Sequence, residues 1–297
     1  MAVAEPFHPP SSGTLRGRVL VRPRARARGR VRGRTGILDR LAICLLLLIT
    51  VGALIIPLIA PYRPNLIAGD SFVKPGAHFL MGTDEVGHDI FSRVLYGIRT
   101  SWFSAIEVIA SGIAIGGLIG LIAGTAGGWI DDILMRFTDM FLALPGPILA
   151  IAVVAALGPS LTHTLIAVAI VWWPFYARIV RGEIKALAAR PHLEAARLAG
   201  VGRIRLATRH LLPGAVPATM VTASLDVGNL VLTLAGLSFL GLGAPAPAPE
   251  LGAMSARGLT YLLQEWWVPV MPGLAVMFLA LLSNLAGDGL RDLLGDR

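Results

Sequence analysis

Residues 41–60 read LAICLLLLITVGALIIPLIA, an unbroken apolar stretch with no charged side chain. A helix needs about 20 such residues to cross the hydrocarbon core of a bilayer. Several apolar runs further along the chain reach that length. Lipid offers backbone polar groups no partner, and a helix satisfies them within its own segment. The chain therefore reads as an all-α integral membrane protein. Composition agrees, with mean hydropathy +0.71 and 15% charged residues against about a quarter in soluble domains.

Six spans follow from the hydropathy: 38–60, 101–126, 133–157, 161–179, 217–240 and 267–285. The net charge is +8, and its placement gives the direction. With the N-terminus in the cytoplasm, 21 of the 26 cations fall on the cytoplasmic side, as the positive-inside rule requires. Both termini are then cytoplasmic. The chain divides into an Arg-rich tail (1–36), expected to lack structure because it has little to bury; a first span with an external segment (37–100); a five-helix core (101–290); and a short cytoplasmic C-terminus (291–297). The lone cysteine, Cys44, excludes an internal disulfide and suits span packing.

The first external segment holds Asp84, Glu85, His88 and Asp89, which look superficially like metal ligands. Nothing in their spacing makes them converge, so a helix capped at Thr83 or Asp84 and lying along the outer interface is the expectation. The second, GLGAPAPAPELGAMSARG, should run extended through its alternating Pro and Ala. Trp266 and Trp267 sit where interfacial aromatics belong.

No phosphate-binding loop, zinc motif or nucleophile elbow is present in the sequence, so no catalytic and no metal-binding residue is assigned. Polar groups inside the spans stand out instead, because lipid offers them no partner. Thr222, Asp226, Asn229 and Thr233 share one face of the fifth span, and Ser104, Glu107 and Ser111 one face of the second. Each stripe lines a path for a polar solute, glues helices together by hydrogen bonds, or faces a subunit interface. Gly112, Gly116, Gly120 and Gly124 form a bare face for close helix approach. Pro145, Pro147, Pro174 and Pro217 mark bends, and Arg136 and Asp139 either pair within the third span or brace the inner gate.

Between the fourth and fifth spans, 183–213 is unlike the rest. From Arg178 to Pro213 there are eight cations and two acids, Glu183 and Glu194. Pro191 suits a first helical position, and Ala195, Ala196 and Ala199 give a small-residue face. Leu193 and Leu198 supply apolar anchors, and Gly200 is placed for a left-handed helix end. A second helix is expected over Arg203–Leu212, with Pro213 starting the return to the membrane. A lipid-surface segment and a solvated linker are the plain readings. A docking knob for a cytoplasmic partner is the third.

Glu194, Ala195, Ala196, Gly200, Leu212 and Pro213 resemble the EAA loop of binding-protein-dependent ABC importer permeases. GTDEVGHDIFSRVLYGIRTS, MRFTDMFLALPGPILAIA, LSFLGLGAPAPAPELGAM and PGLAVMFLALLSNLAGDGLRDLLG are similar to the C-type permease subunit of dipeptide/oligopeptide and nickel importers. The likeness spans about residues 37–294. His88 stands where Arg is usual, and His210 where an aliphatic residue is commoner. The resemblance implies a six-span type I ABC importer permease in the bacterial cytoplasmic (inner) membrane. It further implies a second, B-type permease, ABC ATPase subunits that receive the EAA loop and carry ATP and Mg, and an external substrate-binding protein. It implies no cofactor on this chain and no nucleic acid. The rival from another class is an ion-coupled secondary transporter using Asp226 and Glu107. A membrane-embedded enzyme is a third, weaker reading.

Overall fold

The computed structural model describes the backbone of residues 32–295, with side chains placed from Cys44 to Arg291 except for His192 and Arg197. Residues 1–31 of the Arg-rich tail and residues 296–297 lie outside the described part. Ten α-helices account for most of the rest. Among the described residues there is no strand, only isolated bridges at Ile67–His88 and Thr83–Asp89.

Helix α1 (Arg32–Ile59) starts inside the segment expected to be an unstructured tail, which moves that boundary back to Arg32. Its apolar described part, Cys44–Ile59, is shorter than a full span. Four other helices are long and apolar enough to cross a membrane. They are α2 (Ile90–Ala126), α5 (Leu161–Ala188), the continuous run Arg203–Phe239, and α10 (Trp267–Gly295).

The span expected over 133–157 is not one helix. It is α3 (Gly128–Leu142) and α4 (Gly146–Leu157), bent by 83° at the break. Pro145 supplies no N–H to continue α3 and instead caps α4, where the Ile148 and Leu149 amides bond its carbonyl at 3.0 and 3.1 Å. Counting the bent pair as one span gives five.

The interfacial helix expected before residue 101 is instead the first turns of α2. At 37 residues α2 is about 55 Å long, well beyond the ~30 Å hydrocarbon core. Its cap is Asp89, not Thr83 or Asp84: Asp89 accepts from the Ser92 amide at 2.8 Å and the Ser92 hydroxyl at 2.6 Å.

Helices α2 and α5 form the tightest seam. A Cβ at Gly120 would lie 2.5 Å from the Ala177 carbonyl oxygen, and one at Gly124 2.7 Å from Ile184. At Gly116 and Gly120 the glycine face expected from sequence is pressed directly on the α5 backbone, while Gly112 and Gly124 meet the Tyr176 and Ile184 side chains. The core around this seam holds Trp102, Val108, Val154, Val168, Tyr176 and Leu230, all buried.

The connections that precede α2 and follow α8 fold against each other. Buried Arg93 of α2 donates to the Pro64 carbonyl and to the Pro247 carbonyl, each at 3.0 Å, joining the two connections. The Pro/Ala run does not stay extended, because Ala248 N–H bonds the Pro245 carbonyl at 3.1 Å and closes a turn. Buried Glu250 caps α9 (Leu251–Gly258), and burial raises its pKa above the ordinary glutamate value. Trp266 is half exposed. Trp267 is buried and points its indole N–H at the Thr83 carbonyl, 3.4 Å away.

Candidate functional site: a short-helix knob and a polar stripe

The segment after α5 folds as a short helix, α6 (Pro191–Leu198). Leu193 fixes it in place. That side chain is 2% exposed and packs with Val180, Ile184 and Leu187 of α5 and with Leu206, Leu211 and Ala215 beyond the turn. Burying one leucine contributes roughly 1.5–3 kcal/mol. Leu198, expected as a second anchor, is 87% exposed. Five residues from Leu193 is about 140° around a helix, so the two cannot share a face.

Gly200 has φ +84°, the left-handed conformation that ends helices and favours glycine. The Val201 amide returns to the Ala196 carbonyl at 3.1 Å and closes the turn. Glu194 and Ala195 face outward, and Ala196 is half-buried.

The expected second helix does not stop at Leu212. Helix α7 (Arg203–Leu206) runs through a π-helical turn (Ala207–Leu211) into α8 (Leu212–Phe239). The Leu212 amide bonds the Ala207 carbonyl five residues back. This wider turn lies just before Pro213, whose ring would crowd a regular α-turn. Leu212 and Pro213 are exposed, and the chain continues as one helix through Pro213 and Pro217.

Charged contacts brace the same end of the bundle. Asp131, at the start of α3, is buried and accepts from Arg181 Nε at 2.5 Å and Nη2 at 2.8 Å, and from Lys185 Nζ at 2.5 Å. Both cations lie one turn apart on α5, so α3 is clamped to the helix that carries the knob. Sequence reading missed this triad. The only local signal was an acid in the first turn of α3 and two cations at i, i+4 on α5. Asp139 does not pair with Arg136 as expected but with Arg178 of α5, at 2.6 Å.

The stripe on α8 is brought only partly to one place. Thr222 and Thr233 return their hydroxyls to carbonyls one turn back, at 3.1 and 2.8 Å, which asks nothing of a neighbour. Asn229 is exposed. Asp226 is buried and accepts from the Tyr176 hydroxyl at 2.9 Å. Asp226 and Thr233 line a mostly apolar cavity of about 270 Å³ whose wall also includes Pro147 at the bend and Trp172 and Phe175 of α5.

The stripe on α2 diverges. Ser104 is buried, Ser111 bonds its own helix at 2.8 Å, and Glu107 is exposed. No hydrogen bond among the described residues links Glu107 to Asp226. Asp84 and Asp89 are engaged by nearby protein donors. Asp84 accepts from the Val86 and His88 amides, at 3.0 and 2.9 Å, and contacts the His88 ring at 2.9 Å. Among the described residues no group of three or more potential ligands could hold a metal.

Comparison with known proteins adds to this geometry. The family model described as "Binding-protein-dependent transport system inner membrane component" matches residues 116–297. The probable D,D-dipeptide transport system permease protein DdpC of Escherichia coli K12 is 43% identical over 80% of each chain. The di/tripeptide transport system permease protein DppC of Pseudomonas aeruginosa is 41% identical over 84% of each. The nickel transport system permease protein NikC of Escherichia coli K12 is 39% identical over 85% of this chain and 92% of its own. Among solved structures, the MetNI methionine ABC transporter in inward-facing conformations aligns with a TM-score of 0.54 at 21% identity, over 67% of this chain and 94% of that one. That likeness shows the fold alone. The ion-coupled reading of Asp226 and Glu107 gives way to the family match. A run of membrane-length apolar helices, a bundle shared with an ABC transporter and relatives that are permeases over most of their length lead to one assignment: this chain belongs to the binding-protein-dependent transport system inner membrane components, the multi-pass, non-catalytic permease subunits of ABC importers.

Proposed function

We propose that this chain is the C-type half of an importer for dipeptides or short peptides, with six spans and both termini in the cytoplasm. A B-type permease forms the other half of the path. Cytoplasmic ATPases bearing ATP and Mg engage α6, and an external binding protein delivers the solute. The peptide assignment rests on the relatives named for dipeptide and di/tripeptide transport. Nickel, the cargo named for a relative of similar identity, is the second reading.

The observation that carries the coupling role is the asymmetry of α6. One side is gripped by the bundle through Leu193, while Glu194, Ala195 and Leu198 are presented outward. A short helix of that kind suits a groove on a partner. Displacing it would load α5 through the Leu193 contacts and α3 through the Asp131 clamp. The bend at Ala143–Pro145 lies at the far end of α3 from that clamp.

The test is Glu194→Lys in the complete transporter reconstituted in proteoliposomes. ATP hydrolysis should persist while ATP-driven dipeptide uptake falls at least tenfold. Unchanged uptake would refute the coupling role of α6.

A further inference from the structure

We propose that the cavity beside Asp226 binds a protonated organic amine and receives the amino terminus of a peptide in transit. This deepens the importer reading and rests on it. The cavity lies between α8, α5 and the α3–α4 bend, and among the described residues Asp226 is the one charged group in its wall. Asp226 is 8% exposed, and among the described residues no cationic side chain is within ion-pair distance of it. A carboxylate taken out of water without a fixed counter-ion is costly, and a cationic guest relieves that cost.

The rest of the wall says what kind of cation fits. Trp172 and Phe175 bring aromatic rings to the same space, and Pro147, Val168 and Val171 make the remainder apolar. Aromatic rings attract ammonium groups, most strongly where water is excluded. A small inorganic cation would have to shed its hydration shell against a wall with few replacement oxygens. An anion would meet Asp226. The Tyr176 hydroxyl, 2.9 Å from Asp226 Oδ2, anchors the carboxylate. A volume of about 270 Å³ is just below the ~300–1,000 Å³ of sites that enclose drug-sized ligands. It accommodates an amino terminus with a small side chain rather than a whole long peptide.

The experiment uses the assembled transporter with its binding protein in proteoliposomes, with neopentylammonium chloride as probe. Sodium chloride controls for ionic strength, and neopentyl alcohol serves as the uncharged shape analogue. Neopentylammonium should inhibit ATP-driven dipeptide uptake, and neither control should. Asp226→Asn, which keeps an oxygen for Tyr176, should raise the inhibitory concentration at least tenfold. Phe175→Leu, which removes a ring but no charge, should raise it severalfold and carries the test alone if the Asn variant does not assemble. Equal inhibition in wild type and both variants would overturn the amine site, as would no inhibition of an actively transporting wild type. Absence of ATP-driven uptake in the unmodified complex would instead overturn the importer reading.

Discussion

Alanine substitutions along the α2 glycine face should separate backbone approach from mere burial. At Gly120 an added Cβ would sit 2.5 Å from the Ala177 carbonyl oxygen, 2.9 Å from the Arg181 amide and 3.0 Å from Val180 Cβ. Ordinary contact begins near 3.4 Å, so the two helices must part by about 1 Å. The obstructing atoms are backbone, and no rotamer change removes them. Gly116 is tighter still, facing the Trp173 carbonyl and, at 2.8 Å, the Ala177 amide. Its neighbour Gly117 is also buried, but its nearest obstacle is Ile113 Cγ2 at 3.9 Å on the same helix. Overpacking a well-filled interior costs about 1–3 kcal/mol. Gly116→Ala and Gly120→Ala should each cost at least the middle of that range, with Gly116→Ala the worse. Gly117→Ala should be neutral or slightly stabilising, since Ala is the better helix former by ~1 kcal/mol. Thermal unfolding of the detergent-solubilised complex, followed by loss of the monodisperse peak, ranks the three. If Gly117→Ala destabilises as much as Gly116→Ala, the seam is not set by backbone contact and the packing argument fails.

Leu193→Ala should loosen α6 from the bundle at a cost of ~2–5 kcal/mol in local stability. The checks are faster amide exchange across 191–206 and reduced uptake, with the complex still assembled; unchanged exchange would mean that α6 is held by something else. Asp131→Asn should free α3 from α5. Breaking a fully buried pair costs about 3–5 kcal/mol, but Arg181 and Lys185 side chains are 30% and 46% exposed. About 2 kcal/mol is therefore expected, read as a lowered unfolding midpoint that Asp131→Glu partly restores.

The sequence by itself determined the membrane class, the helix-ending turn at Gly200 and the bare face of the second span. Each is a local or periodic property. Apolar length sets what can cross lipid, glycines four apart share a face wherever the helix goes, and Gly200 announces a positive φ on its own. Leu193, Gly120 and Gly124 consequently end where periodicity puts them. Tertiary structure decided which side chains meet. Asp139 has Arg136 three residues away yet pairs with Arg178, and Asp131 finds its two cations about fifty residues later. Of the four stripe positions on α8, Asp226 is the one buried against Tyr176. The chain bends at Ala143–Pro145 but runs straight on as helix past Pro213 and Pro217. A proline removes one donor in every case, and only the neighbours decide whether the backbone breaks there or widens by a π-turn. Pairings across helices depend on the angle and depth at which the helices pack, and no spacing along a single helix encodes those.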